Sequence, residues 1–489
     1  MTNHRRSTVF AGMTALVCAI SLACGGAPAS STASAGASKT AAAAGGAKSL
    51  AVQASVPGQP PRSAVVPSGS YFSYPNRSGS EAVAIRNRVI NTINSTWGKY
   101  TTASGDVRRG KILMTTWSFN DWGVREALVN AAKRGTTVRI IAAKSINTKE
   151  NYKPWFSLRT ALNKTTRGWA RVDPTNIAKM CSGACRGGGG TPHSKYFLFD
   201  DTGKGHQRNV VMQTSMNLTA FAYKGQWNQA TVMKSAKVFA HFRNVFDQSL
   251  KDRSRGSSAY VRATAGSVTD IFYPGGGPTR DPVMSALNRV SCIGARSGGT
   301  NGRTRVRVIN YAIHDTRGNR IAKKLRSLWS RGCDVRIIYS VSSRPVLKIL
   351  RSHSGRGPIP MKQSVIRNRK GAIVKYNHSK WLAISGRYGS SRGTWTAHAG
   401  SANWSDIAYR SDEQMQQFFG FSRTKGYFTT FSKTWNQSTS KPPRFGRVTA
   451  GNRTLAPEQE AALEQEALED VPEQPTFGEG DYKYMLEGG

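Results

Sequence analysis

The 489-residue chain is short of acid: 27 Asp and Glu stand against 70 Lys and Arg, a formal net charge of +43. Such an imbalance favours an anionic partner, whether a phospholipid surface, nucleic acid or a phosphate-rich wall polymer. Long apolar runs are missing after Cys24, so no later segment reads as membrane-spanning. No Gly-rich nucleotide fingerprint follows a strand, because residues 187–190 and 275–277 sit in loop-like contexts. His206, His241, His314, His353 and His398 share no metal-ligand spacing, and no metal or other cofactor is called for.

Cysteine is scarce too, and its distribution follows from the amino-terminal stretch. His4, Arg5 and Arg6 precede an apolar run from Val9 to Cys24 and then small residues including Ala27-Pro28-Ala29, the layout of a secretory signal over residues 1–29. Secretion is the expectation, with a lipid anchor at Cys24 as the alternative. Residues 30–69, dominated by Ala, Ser, Gly and Pro, read as a disordered lead. Beyond the signal only Cys181, Cys185, Cys292 and Cys333 remain, an even number that suits an oxidising compartment and allows three pairings. Cys181 with Cys185 and Cys292 with Cys333 are favoured. The first pair brackets Ser-Gly-Ala just before His193, and the second ties a helix to the following strand. A zinc site is the rival and lacks nearby His partners.

What is present is a repetition. His193-Ser194-Lys195, with Asp200 five residues on, recurs as His378-Ser379-Lys380, each in a segment that reads as a buried strand. Ser215-Met216-Asn217-Leu218-Thr219 follows the first copy and Ser401-Ala402-Asn403-Trp404-Ser405 the second. Alternate residues of a strand share a face, so each half aims one imidazole and one ammonium at the same point. Phosphodiester chemistry needs a nucleophile, a proton donor for the leaving oxygen and fixed positive charge around the phosphoryl oxygens; two such halves supply all three.

The surroundings repeat as well. Residues 111–117 read as a strand, 124–134 as an amphipathic helix, Gly135 as its stop and 138–141 as the next strand; 306–311, 320–331, Gly332 and 335–339 repeat the series. These are βαβ units, and two of them imply a duplicated α/β architecture.

The motifs resemble those of the phospholipase D superfamily, whose signature is His-x-Lys-x4-Asp followed by Gly-Ser-x-Asn. Thr214 stands where the glycine of the first copy would be, and Ser385 where the Asp of the second would be. The resemblance spans residues 71–440 and implies two α/β/α sandwich halves packed side by side, with the active site in their shared cleft. Residues 70–250 and 269–440 are the expected halves, 251–268 their linker and 441–489 an acidic, flexible tail.

The resemblance also implies roles. His193 is the expected nucleophile, forming a phosphohistidine, and His378 the acid and then base. Lys195, Lys380, Ser215, Asn217, Ser401 and Asn403 are expected to hold phosphoryl oxygens, with Asp200 completing the first motif. Glu413 and Gln229 are expected to orient the histidine of their own half. A secreted, monomeric phospholipase D-like phosphodiesterase acting on an anionic phosphodiester, a phospholipid before nucleic acid, is the reading. A secreted nuclease, and a basic anion-binding protein with a degenerate site, are the alternatives.

Overall fold

The computed structural model describes residues 58–61, 65–145, 147–163, 175–353, 355–438, 473–477 and 485. The expected signal peptide, Cys24 and most of the lead and tail lie outside them.

Both βαβ units form. In the first, Lys111–Thr115 buries Ile112, Leu113 and Met114. The Asp121 carboxylate then accepts from the Val124 amide (3.1 Å) and starts helix Trp122–Lys133. Gly135, at φ 87°, ends that turn in a conformation that side chains resist. Strand Thr137–Ala143 returns in parallel, Ile112 opposite Val138. In the second unit, Arg305–Ile313, helix Asp315–Ser330, Gly332 at φ 97° and Asp334–Ser342 repeat the path, Val308 opposite Ile337.

Each unit seeds a mixed sheet. The first has nine strands, in the order Val365–Arg367, Ile373–Asn377, Gln226–Lys234, Gln207–Thr214, Tyr196–Thr202, Lys111–Thr115, Thr137–Ala143 and Ile177–Cys181, with Gly69–Ser73 also paired to Gln226–Lys234. The second has eight: Val261–Ala265, Val268–Phe272, Gln414–Phe419, Ser391–Gly400, Lys380–Tyr388, Arg305–Ile313, Asp334–Ser342 and Met361–Gln363. Helices Ala84–Asn94, Trp122–Lys133 and Lys153–Asn163 bury their apolar stripes on the outer face of the first sheet. Pro282–Asn288, Asp315–Ser330 and Arg344–Leu350 do the same on the second. Between the sheets, Phe242 and Phe246 of helix Ala236–Leu250 and Tyr427 and Phe431 of helix Phe421–Gln437 join side chains from both, such as Leu198 and Trp381, in one core. The fold is the phospholipase D-like pair of α/β sandwiches.

Four expected boundaries move. The fold begins before Tyr71: the Gly58 carbonyl accepts from the Gly98 amide (2.7 Å), and buried Val66 donates its amide to Gln207 Oε1 (2.7 Å). The 251–268 stretch is more than a linker, because Val261–Ala265 pairs antiparallel with Val268–Phe272 as the edge of the second sheet. Strand Ile373–Asn377, from the second half of the sequence, adds to the first sheet, Gln226 and Trp227 opposite Tyr376 and Asn377. The acidic tail is not wholly detached, since Met485 is fully buried and Phe477 packs beside it. In each case a few apolar or backbone groups find seats that composition does not reveal.

Disulfides join Cys181 to Cys185 and Cys292 to Cys333. Cys181, Cys185 and Asp252 are the one metal-like cluster among the described residues, and both sulfurs are spent in the disulfide. The loop that this disulfide closes reaches the second half, where Asp412 accepts from the Cys185 amide (2.5 Å). Gly190 lies so close to the Arg410 backbone that a Cβ there would sit 2.6 Å from its carbonyl. No helix among the described residues is long and apolar enough to cross a membrane.

Candidate active site

The first His-x-Lys segment lies just ahead of strand Tyr196–Thr202, whereas in the second His378 and Ser379 precede strand Lys380–Tyr388 and Lys380 opens it; the sequence suggests strand throughout. Each is held by the opposite half. The His193 amide donates to the Asp412 carbonyl (2.9 Å) and the His378 amide to the Trp227 carbonyl (2.9 Å). The Lys195 ammonium donates to the His193 carbonyl, and that of Lys380 to the His378 carbonyl (2.8 Å), so both cations are drawn in beside the imidazoles.

The orienting groups cross over too. Glu413 does not serve His378: its Oε1 lies 2.8 Å from Nδ1 of His193, in the other half. Facing His378 Nδ1 at 3.3 Å is Oδ1 of Asn228, not Gln229. The Asn228 amide nitrogen donates to the Ala222 carbonyl (2.9 Å), which leaves Oδ1 as the acceptor. The corresponding pairs are therefore Asn228-Gln229 and Glu413-Gln414.

That register explains the remaining polar groups. Gln414 accepts from the Lys195 amide (2.9 Å) and donates to the carbonyls of Lys195 (3.1 Å) and Thr214 (3.2 Å). Gln229 accepts from the Lys380 amide (3.2 Å) and donates to the Gly400 carbonyl (2.9 Å). Each glutamine thus staples the motif of the opposite half. Ser401 Oγ donates to Glu413, and Ser215 Oγ donates to Asn228 (2.8 Å), so both hydroxyls support the orienting groups rather than reaching for phosphate. Asn217 Oδ1, both amide atoms of Asn403 and His193 Nε2 are buried and have no partner among the described residues.

Asp200 stands apart. It accepts from the Lys111 amide (2.6 Å), and five residues of extended strand place it about 16 Å from Lys195. Ser385 occupies the matching place in the second sheet, accepting from Arg305 Nε (3.0 Å) and donating to the Gly298 carbonyl (2.7 Å). The Asp and its replacement both pin a neighbouring segment at the far end of a strand, so the second motif loses no group from the cleft.

The four motif cations and imidazoles are almost fully buried. Burial, and then the two ammoniums, push both imidazoles below their usual range, and burial pushes the ammoniums below theirs. Burial also raises the Glu413 carboxyl to about 7, against the pull of Lys195 and Lys380. The site gathers four basic groups in a desolvated space where an entering anion would favour their charged forms.

Aromatic rings wall both imidazoles: Trp117 meets His193 edge-on at 5.8 Å, and Tyr311 lies 4.9 Å from His378. Arg317 was not visible in the motifs. Fully buried, it pairs with Asp281 (3.1 Å) and donates to the Asn403 carbonyl (2.8 Å), fixing the second Ser-x-Asn turn. The signal that could have found it is Asp281-Pro282, an N-cap before a helix, which seats a carboxylate there.

Residues 108–250 match the family described as "Cardiolipin synthase, PLD-like domain". No curated protein matches the chain. Among solved structures, phosphatidylserine synthase of Haemophilus influenzae Rd KW20 is similar with a TM-score of 0.50 at 12% identity, over 76% of this chain and 86% of that one. Polyphosphate kinase from Porphyromonas gingivalis aligns with a TM-score of 0.47 at 12% identity, over 81% of this chain and 55% of that one, so this chain spans about half its length. Nuc from Salmonella typhimurium, a phospholipase D family member, aligns with a TM-score of 0.27 at 19% identity, over 38% of this chain and 95% of that one.

Proposed function

Because this chain belongs to the phospholipase D superfamily, through its domain at residues 108–250 and its fold, we propose that it is a phosphodiesterase working through a phosphohistidine on His193. The observation that carries the reading is the His193–Glu413 contact. With Nδ1–H donated to Glu413, Nε2 keeps its lone pair and is buried without a partner among the described residues. Attack of Nε2 on phosphorus forms the P–N bond, breaks the P–O bond to the leaving group and leaves a cationic imidazole that Glu413 offsets. His378, held by Asn228, gives its proton to the leaving oxygen and then takes one from water, which cleaves the P–N bond and regenerates His193. An alcohol in place of water gives transfer instead of hydrolysis. Lys195, Lys380, Asn217 and Asn403 hold the non-bridging oxygens.

Phospholipid is the favoured substrate. Trp122 (56% exposed) and Phe221 (39%) stand on segments joined by the pairing of Phe119–Asn120 with Leu218–Thr219, next to the first Ser-x-Asn turn. Two exposed aromatic rings on a strongly basic protein suit an anionic, apolar surface. Vesicles of phosphatidylcholine or phosphatidylethanolamine and plasmid DNA, assayed side by side, test this. Headgroup release faster than DNA nicking, both lost in His193→Ala, is expected; nicking without headgroup release makes the protein a nuclease, and binding without turnover removes the enzymatic reading.

A further inference from the structure

A catalytic site must admit its substrate, yet His193 and Lys195 are 0% exposed, His378 2% and Lys380 3%. Two residues from the far end of the chain pack onto the rings that flank His378. Tyr311 and Tyr376 stack at 5.2 Å and wall His378, at 4.9 and 6.2 Å from its ring. With Ala312, Val341 and Ile373 they pack as an apolar cluster against which Met485 is fully buried, so that without Met485 they would line a recess. Phe477 covers the same recess, its ring 6.1 Å from both Tyr311 and His314. Glu473 lies 4.0 Å from Arg344.

These contacts share a logic. Ten acidic residues and one lysine occupy the stretch from Glu458 onward, while the rest of the chain is strongly basic, so the two carry charge of opposite sign. Phe477 and Met485 then supply what charge cannot, a fixed seat beside one imidazole.

We propose that the Tyr311–Tyr376 recess is the subsite for an apolar group attached to the scissile phosphodiester, and that the chain's own C-terminal segment occupies it and holds the enzyme inactive until displaced. The inference deepens the phosphodiesterase reading and rests on it for the identity of the substrate. A segment seated nine-tenths of the time lowers apparent substrate affinity about tenfold.

The test compares the full chain with its F477D/M485D variant in two ways. One is hydrolysis of bis(p-nitrophenyl) phosphate; the other is the rate at which diethyl pyrocarbonate modifies His378, read by peptide mapping. Phe477→Ser is a milder second variant should the double change impair folding, and a synthetic peptide of residues 473–489 is added back to each. Faster turnover by about tenfold, faster His378 modification and reversal of both by the peptide are expected. Unchanged His378 modification in a folded variant overturns the proposal, whatever the turnover. Faster modification with no turnover in any form upholds the docked segment and removes the phosphodiesterase reading instead.

Discussion

His193 Nδ1 and Glu413 Oε1 lie 2.8 Å apart although 220 residues separate them in sequence. The contact joins the complete first motif to a carboxylate of the second half, so on the proposed mechanism neither half holds a whole nucleophile. It also removes a conflict: in sequence order Glu413 follows the second motif and argues for His378 as the phosphorylated residue, whereas in space it serves His193.

Glu413→Gln keeps an acceptor near Nδ1 and loses the charge that offsets a phosphoimidazolium. Turnover of a chromogenic phosphodiester is expected to fall on the order of a hundredfold. Rapid denaturation during turnover of a labelled substrate places acid-labile phosphate on His193; label on His378 reverses the two roles.

Asn228→Asp gives His378 the carboxylate that it lacks. Burial, Lys380 and Lys195 depress the imidazole, so its acid form is lost as pH rises through a value below the usual 6.5. A facing carboxylate favours that form, and the descending limb of the kcat profile is expected to move toward higher pH by about one unit. A profile that does not move removes His378 from the role of acid.

Asp412 links pH to stability. Burial raises its carboxyl from 3.8 to about 7, against the pull of Arg186 and nearby amides. Between about 4 and 7 the folded chain keeps a proton that the unfolded chain has lost, so this group's contribution to stability falls as pH climbs through that window. Urea unfolding of wild type and Asp412→Asn is expected to diverge with rising pH in favour of the variant, by a few kcal/mol at most, on the order set by linkage.

Arg317→Met strips buried Asp281 of its nearer cation and leaves it only Arg320, at 3.7 Å. A loss of about 3 kcal/mol is expected in chemical denaturation, with part of it restored when Asp281→Asn is added, because the under-compensated charge rather than the missing contact dominates.

Hydrolysis is expected to persist in excess EDTA, since imidazoles, ammoniums and amides supply every step derived above. Complete loss that added metal restores overturns that assignment.

The local parts of this structure were legible. Lys111–Thr115 and Arg305–Ile313 are largely buried and rich in apolar residues, Gly135 and Gly332 stop the helices that follow, and each signal lies within a few residues of what it determines. The His-x-Lys repeats were readable for the same reason, as was the Cys181–Cys185 disulfide, whereas Cys292–Cys333 spans 41 residues and stood as the favoured one of three pairings. The orienting pair was not, because crossing between halves is a tertiary fact. The register hint was nonetheless there: aligning Gln229 with Gln414, instead of with Glu413, pairs Asn228 with Glu413. Ser215 and Ser401 could not be separated from Asn217 and Asn403 by motif alone, since only the direction of each hydroxyl shows which group it serves.

The strand Ile373–Asn377 bears on how such a chain is made. Its partner Gln226 emerges from the ribosome 150 residues before Tyr376, to which its side chain bonds at 2.6 Å. Until then Gln226 and Trp227 lack a partner strand, the rest of that edge being covered by Gly69–Ser73. So distant a closure is slow. The first sheet is therefore complete only once residues 373–377 exist, so its last pairing cannot precede synthesis of the second half.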